Sequence, residues 1–268
     1  MHRHKKLLIT IVVVVTLLIA GAMIWFAKRD ANAPAQTTTA KRGPIAALID
    51  FVTHPFGQSN TPKPPAFDKT QYSLDDPASL WVVVNKQRSL PSGYIPASLR
   101  QPNIAVRSSG SSEMLVRDDA ASALESLVAA AKQDGISLML VSGYRSYGLQ
   151  EQVYGGNVSR EGQASADKTS ARPGHSEHQT GIAMDLGDPN GVCQLETCFG
   201  ETTAGKWLAA HAHEYGFIIR YQNGKEGIVG YTYEPWHLRY VGPALATELY
   251  KSGQTMEEFF GLPAAPSY

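Results

Sequence analysis

The chain has no excess of charge of either sign and contains only two cysteines. Its 24 basic and 24 acidic side chains cancel, which argues against a general nucleic-acid binder, because such proteins carry a basic excess. Two cysteines exclude a zinc site built from four of them. A charged fraction of 18% beside 43% hydrophobic residues excludes a globally disordered chain. The 268 residues therefore suffice for one catalytic domain of about 200 residues with additional segments.

Residues 7–27 contain no charged side chain. At about 1.5 Å per residue, a helix of this length just crosses a hydrocarbon core of about 30 Å, and Trp25 near its end is typical of a membrane interface. A cleaved signal peptide is the alternative, but its apolar region is normally about 7–15 residues long and is followed by small residues. Here Lys28 and Arg29 follow instead. We predict a cytoplasmic tail and a single transmembrane anchor within residues 1–29.

The remaining chain divides into a tether and one domain. Residues 30–71 are polar and rich in proline, which is typical of a flexible tether. Within a predicted globular domain at 72–268, helical patterns cover residues 118–135, 146–155 and 207–215, the first capped by Asp118 or Asp119. Strand patterns cover residues 136–143, 181–187, 217–221 and 236–241, with a strand or extended segment at 80–85. Irregular mixing and short connections predict the α+β class with antiparallel pairing.

The two cysteines are Cys193 and Cys198. A disulfide between them would close a small loop. Such a bond fits a domain outside the cytosol, because extracytoplasmic compartments permit oxidation of thiols. Two free thiols are the alternative. We predict the disulfide, on the condition that the domain is exported.

Two short segments carry residues suited to a hydrolytic metal site. A zinc ion of this kind takes three N or O ligands from the protein and leaves a fourth position for water. His178, Asp185 and His237 supply two imidazoles and one carboxylate. Glu234 lies three residues before a ligand, where an acid could take the proton of that water. The spacing alone leaves open whether these residues bind metal or are ordinary surface and core residues.

The chain geometry permits these residues to converge. His178 and Asp185 are seven positions apart, so one continuous strand would point them to opposite faces. Gly181 between them permits a turn, which would put His178 on a loop and Asp185 on the strand that follows. His175, three residues before His178, is a further candidate ligand or a neighbour of the site.

Several motifs occur in a defined order along the chain. They are Ser-Gly-Tyr-Arg-Ser at residues 142–146, Ser-x-His-x-x-Gly-x-Ala-x-Asp at residues 176–185 and Glu-Pro-Trp-His at residues 234–237. This set resembles the VanY-type D-alanyl-D-alanine carboxypeptidases, a family that includes the LdcB-type L,D-carboxypeptidases. The resemblance runs from about residue 80 to residue 250. It implies the fold shared by these peptidases and the hedgehog signalling domain, a small antiparallel sheet flanked by helices.

The resemblance also implies roles for individual residues. It implies one zinc ion per chain with three protein ligands, which are His178, Asp185 and His237. Glu234 would be the general base, and Arg145 would face the substrate, at either the developing oxyanion or the terminal carboxylate. Three neighbouring polar side chains are candidate substrate contacts: Ser142, Ser146 and Gln150.

The implied activity is removal of the C-terminal D-alanine from peptidoglycan stem peptides, with D,D or L,D preference left open. This activity places the catalytic domain outside the bacterial membrane and the N-terminus inside, with the tether reaching the cell wall. The alternatives are a cell-wall endopeptidase of the same fold and a non-catalytic wall-binding domain. The presence of Glu234 disfavours the last of these, because loss of the base would be its mark.

Overall fold

A computed structural model describes residues 66–268. The predicted anchor and most of the predicted tether lie outside the described residues and stay predictions. No helix within residues 66–268 is long and apolar enough to cross a bilayer. The compact unit starts at Ala66, slightly before the predicted domain start at residue 72. Phe67 is half-buried and packs against the core of this unit, since its ring stacks on Trp81 with the centroids 5.5 Å apart.

The described residues form six strands and seven α-helices. The strands are β1 Leu99–Arg100, β2 Val116–Arg117, β3 Met139–Ser142, β4 Ala183–Gly187, β5 Phe217–Ile219 and β6 His237–Tyr240. The helices are α1 Asp118–Gln133, α2 Tyr147–Glu161, α3 Gln163–Thr169, α4 Thr203–His211, α5 Glu226–Val229, α6 Pro243–Ser252 and α7 Met256–Phe260. Short 3₁₀ helices lie at Ser112–Met114, Glu177–Thr180, Thr197–Glu201 and Ala212–Tyr215. The predicted segment at 80–85 lies outside these strands, and only Asn85 in it makes an isolated bridge.

Four of the strands form one antiparallel sheet in the order β3-β4-β6-β5. This sheet and its flanking helices confirm the predicted α+β class. In the central pair, Asp185 of β4 lies directly opposite His237 of β6. Opposite residues in an antiparallel ladder have Cβ atoms about 4.5–5.5 Å apart. The strand register therefore brings this carboxylate and this imidazole together.

The central strands bury two chemically different faces. Met184 and Leu238 point into the main hydrophobic core, where both are fully buried. Asp185, His237 and Arg239 occupy the alternate positions and are also buried. Because side chains alternate with a period of two along a strand, one face of the sheet is apolar and the opposite face is polar.

Helix α1 covers the apolar face. Its buried residues recur three or four positions apart, as in an amphipathic helix, and include Ala120, Leu124, Leu127 and Ala131. The prediction that Asp118 or Asp119 caps this helix is wrong. Arg117 holds the N-cap position without a side-chain hydrogen bond, and both aspartates lie in the first turn, where negative charge favours the helix dipole.

A second hydrophobic cluster holds the C-terminal helices against the sheet. Its buried members include Trp81, Ile218, Leu245, Leu249 and Phe259. The indole Nε1 of Trp81 donates a hydrogen bond to the Val241 carbonyl at 2.9 Å. This packing fixes α7, and with it Glu257, beside the polar face of the sheet.

Gly181 makes the turn between the 3₁₀ helix that contains His178 and strand β4. Its φ is +70°, in the left-handed region that favours glycine. Its N–H donates to the His178 carbonyl and its carbonyl accepts from the Arg117 N–H at 2.7 Å. The predicted turn at this residue is thus confirmed.

We expect Gly181→Ala to lower the free energy of unfolding by more than Gly135→Ala does. Both glycines have positive φ, which costs an alanine about 1–2 kcal/mol. A Cβ at residue 181 would also stand 3.0 Å from Leu99 and 3.1 Å from Pro96, whereas nothing lies within 4 Å of one at residue 135. Urea unfolding of both variants measures the difference. Equal losses would show that the packing around Gly181 is unimportant.

Candidate active site

A cleft of about 350 Å³ opens on the polar face of the sheet. Its floor contains His178, Asp185, Glu234 and His237. Its walls come from helix α2, residues 169–171, residues 195–197 and two tyrosines; the wall side chains include Val153, Asn157, Ala171, Leu195, Tyr221 and Tyr231. The cleft is the point at which three segments distant in the sequence meet.

The three predicted metal ligands lie together in this cleft. His178 Nε2 is 3.4 Å from Asp185 Oδ2, and His237 Nδ1 is 3.3 Å from Asp185 Oδ1. One donor atom from each residue lies within 4.8 Å of the other two, and all three side chains are buried. A single ion can therefore contact all three.

Hydrogen bonds orient both imidazoles. His178 Nδ1 lies 2.7 Å from the Gly143 carbonyl, so this nitrogen donates and leaves Nε2 with a lone pair toward Asp185. His237 Nε2 lies 3.4 Å from Glu177 Oε2, which leaves its Nδ1 toward Asp185. The two rings thus present opposite nitrogens to the same point.

The chemistry of this donor set fits a divalent metal ion. Two imidazoles and one carboxylate are the N and O ligands that zinc takes in hydrolytic sites. Asp185 Oδ1 is buried and accepts no hydrogen bond, although a buried polar atom normally has a partner. Burial lowers the pKa of His237, but the neighbouring carboxylates of Asp185 and Glu177 outweigh this effect and raise that pKa to about 9. A cation would replace this proton, so metal binding should release it.

Glu234 lies beside the donors and is not needed as one of them. Its Oε2 is 3.8 Å from His237 Nδ1. Burial, with a smaller effect of Asp185, raises the pKa of Glu234 to about 8 despite the opposing charge of His237. A nearby metal cation would lower that pKa again, because positive charge favours the carboxylate. This position suits an acid that accepts and returns a proton.

Arg145 presents a guanidinium to the cleft without a carboxylate partner among residues 66–268. Its Nη1 donates to Gln150 Oε1 at 3.1 Å and its Nη2 donates to Ser142 Oγ at 3.0 Å. Its Nε is buried and unpaired. The side chain is held in place by neutral acceptors and keeps its charge for an anion.

The three polar side chains predicted to contact substrate have other roles here. Ser142 and Gln150 are buried and hold Arg145, and Gln150 also donates to the Ala171 carbonyl at 2.7 Å. Ser146 caps helix α2 by accepting a hydrogen bond from the Leu149 N–H. None of the three is among the residues that line the cleft. Their observed contacts support Arg145 and the start of helix α2, and direct contact with a substrate stays a prediction.

Residues 193–198 form a loop closed by a disulfide between Cys193 and Cys198, as predicted. Cys193 and Leu195 have φ of +51° and +57°, a left-handed conformation that is unfavourable for both. The loop presents Leu195, Glu196 and Thr197 to the cleft. The disulfide is therefore part of the wall of the site.

His175 lies outside the donor set. Its Nδ1 is 2.8 Å from the Asn85 carbonyl, and its ring meets Tyr268 edge to face. His211 pairs with Glu214 at 3.1 Å, and His213 stacks on Tyr250 with the centroids 3.6 Å apart. None of these three lines the cleft.

Sequence analysis missed the buried ionic network beneath the site. Glu177 accepts from Arg220 Nε at 2.9 Å and from Arg239 Nη1 at 2.8 Å, and all three side chains are fully buried. Arg220 also forms a bidentate pair with Glu257. Arg239 follows His237 by two positions on one strand, and this spacing could have indicated a charge on the ligand's face of the sheet.

The sequence is similar to those of known carboxypeptidases. Residues 113–243 match the family model for VanY D-alanyl-D-alanine carboxypeptidase. YodJ of Bacillus subtilis, a candidate carboxypeptidase by name, is 42% identical over 189 residues, which are 70% of this chain and 69% of YodJ. Residues 113–243, which match the family model, contain all the residues assigned to the cleft floor.

Two solved structures share the fold. That of the LdcB LD-carboxypeptidase superposes with a TM-score of 0.66 at 42% identity, covering 69% of this chain and 87% of LdcB. That of a variant of the D,D-pentapeptidase VanY, determined in complex with Zn(II), superposes with a TM-score of 0.57 at 30% identity, covering 69% and 99%.

We expect His178→Ala and Asp185→Ala each to abolish tight binding of a divalent metal, because each removes one of three donors. His175→Ala and His211→Ala should bind metal as the unsubstituted protein does. Titration of the metal-free proteins with Zn²⁺ against a competing chelator provides the measurement. Unchanged affinity in the first two variants would contradict the assigned donor set.

Proposed function

This chain belongs to the VanY family of D-alanyl-D-alanine carboxypeptidases, and we propose that it is a zinc-dependent enzyme that removes the C-terminal D-alanine from peptidoglycan stem peptides. The observation that carries the proposal is the convergence of a three-donor metal site, an acid and an unpaired guanidinium in one cleft. The residues that would hold the ion are His178, Asp185 and His237. A bound Zn²⁺ supplies Lewis-acid chemistry, polarising the scissile carbonyl and acidifying water.

Glu234 supplies the proton transfer. As a carboxylate it accepts a proton from the attacking water, and as an acid it delivers that proton to the leaving amine. Burial raises the pKa of Glu234 and the charge of a bound cation would lower it, so both protonation states are accessible to this side chain during the reaction. A group with that property can perform both steps in one catalytic cycle.

Arg145 supplies recognition of an anion. A planar guanidinium forms two parallel hydrogen bonds with a carboxylate, which suits the free C-terminus that distinguishes an exopeptidase substrate. The same donors could stabilise negative charge that develops on the carbonyl oxygen. In either role the guanidinium is held in place by Gln150, which accepts a hydrogen bond from Nη1, and by Ser142, which accepts one from Nη2.

Cleavage of the shorter, tetrapeptide stem is a second candidate. The specific observation that favours it is the stronger similarity to the LdcB LD-carboxypeptidase, at 42% identity, than to the D,D-pentapeptidase VanY, at 30%. In both reactions the leaving group is D-alanine. The two differ in whether the residue before the scissile bond has the D or the L configuration.

We also propose the location inferred from the sequence, with the N-terminus inside the membrane and the catalytic domain at the cell wall. Residues 7–27 carry the proposal of an anchor, and the substrate lies on the outer side of the membrane. The disulfide between Cys193 and Cys198 is compatible with an oxidising compartment.

We expect the zinc-loaded protein to release free D-alanine from a pentapeptide stem, a tetrapeptide stem or both, detected by mass spectrometry. The same peptides with an amidated C-terminus should resist cleavage, because the group recognised by Arg145 is absent. Products cut inside the stem would support the endopeptidase instead. Binding without any cleavage would support the wall-binding alternative.

We expect Glu234→Gln to lower kcat by at least about 10²-fold while zinc remains bound. The amide has nearly the same shape but accepts no proton, whereas His237→Ala should lose zinc and activity together. D-alanine release and metal content of both variants are measured side by side. Near-normal turnover of a zinc-loaded Glu234→Gln protein would exclude Glu234 as the base.

A further inference from the structure

Glu177 makes contacts that join the metal site to the rest of the core. It precedes the ligand His178 in the chain, yet its carboxylate points to a different ligand, with Oε2 lying 3.4 Å from His237 Nε2. Its other oxygen, Oε1, accepts from Arg220 and Arg239 at 2.9 and 2.8 Å. The side chain has no exposed surface.

The two arginines hold this carboxylate in one orientation. Arg239 Nη2 donates to the carbonyls of Leu80 and Val82, and Arg220 donates to both oxygens of Glu257 on α7. Each guanidinium is thus fixed from its far side. Oε1 of Glu177 therefore accepts hydrogen bonds from two guanidiniums, and Oε2 is the oxygen that can accept one from His237.

This arrangement bears on which nitrogen of His237 faces the metal. A neutral imidazole carries its proton on one nitrogen and a lone pair on the other, and the hydrogen bond at one nitrogen selects the tautomer. A carboxylate can only accept, so Glu177 requires the proton at Nε2. The lone pair then lies at Nδ1, the nitrogen that is 3.3 Å from Asp185.

We propose that Glu177 is a positioning residue that holds His237 in the tautomer and ring orientation with Nδ1 toward the metal. The inference rests on the metal site of the proposed function but not on the identity of the peptide. Partners of this kind typically change metal affinity about 10- to 100-fold when they are removed.

Glu177→Gln provides a sharp test because the amide has a preferred orientation. Its oxygen should turn to the two arginines, since only an acceptor suits them, which places the NH₂ group against His237 Nε2. That donor pairs with a lone pair on Nε2 and moves the imidazole proton to Nδ1. The variant therefore favours the tautomer that cannot bind the metal.

Glu257→Gln is the matched control. Glu257 is as buried as Glu177 and also pairs with Arg220, but its remaining contact is with Asn85 and not with His237. A purely structural role for Glu177 predicts similar behaviour of the two variants. A positioning role predicts that both lose stability while only Glu177→Gln changes the imidazole and its metal affinity.

The experiment uses the purified full chain. Zinc affinity is measured by chelator competition. The protonated nitrogen of His237 is read from ¹⁵N NMR of the metal-free protein at a pH above the raised pKa of this residue, where the imidazole carries a single proton. The signal is assigned from its absence in His237→Ala. We expect the Glu177→Gln variant to bind zinc about 10- to 100-fold more weakly than the unsubstituted protein. In this variant the imidazole of His237 should carry its proton on Nδ1. Glu257→Gln should stay within about threefold of the unsubstituted protein, with the proton on Nε2.

Equal losses of zinc affinity in the two variants, or a proton on Nε2 in Glu177→Gln, would overturn the inference. If Glu177→Gln fails to fold, Glu177→Asp decides, since it keeps the charge for the arginines but withdraws the oxygen from His237. Its zinc affinity should fall, and unchanged affinity would reject the positioning role. An unsubstituted protein that binds no zinc would instead contradict the proposed function itself.

Discussion

The antiparallel pairing of β4 with β6 is the constraint on which the site depends. It places Asp185 directly opposite His237 and buries both side chains on one face of the sheet. Met184 and Leu238 pack into the hydrophobic core on the opposite face. A slip of one residue in this register would turn the ligands into the core and the apolar side chains into the cleft. The packing of helix α1 against the apolar face therefore stabilises the metal site indirectly, by fixing the register.

Many charged side chains are buried on the polar face of the sheet, so their positive and negative charges must compensate one another. Apart from the exposed Glu196, the cleft and the layer beneath it contain four carboxylates, from Glu177, Asp185, Glu234 and Glu257, and three guanidiniums, from Arg145, Arg220 and Arg239. With Glu234 ionised and both imidazoles neutral, one negative charge is in excess. A divalent cation together with the terminal carboxylate of a bound peptide would bring the total to zero, which agrees with the function proposed for this cleft.

The same network gives the site its rigidity. The cleft floor is held by long-range contacts rather than by its own loops, since Arg220 joins Glu177 to Glu257 and Arg239 reaches the carbonyls of Leu80 and Val82. The guanidinium of Arg145 is held only by neutral acceptors, so its charge remains available to an anionic group in the cleft. Donor side chains that are fixed by their neighbours in this way are suited to holding a metal ion in one geometry.

The sequence by itself predicted the candidate donors His178, Asp185 and His237, the acid Glu234 and the turn at Gly181. The spacing left the metal role open, and the ordered motifs that resemble a known family supplied it. The sequence also determined the α+β class through the periodicity of the apolar residues. Only the tertiary structure decided that Glu177 faces His237 and that Ser142 and Gln150 accept hydrogen bonds from Arg145. Glu177 and His237 are 60 residues apart, and no local periodicity relates two side chains at such a distance. Their contact follows from the strand register and from the need to neutralise charge buried away from water.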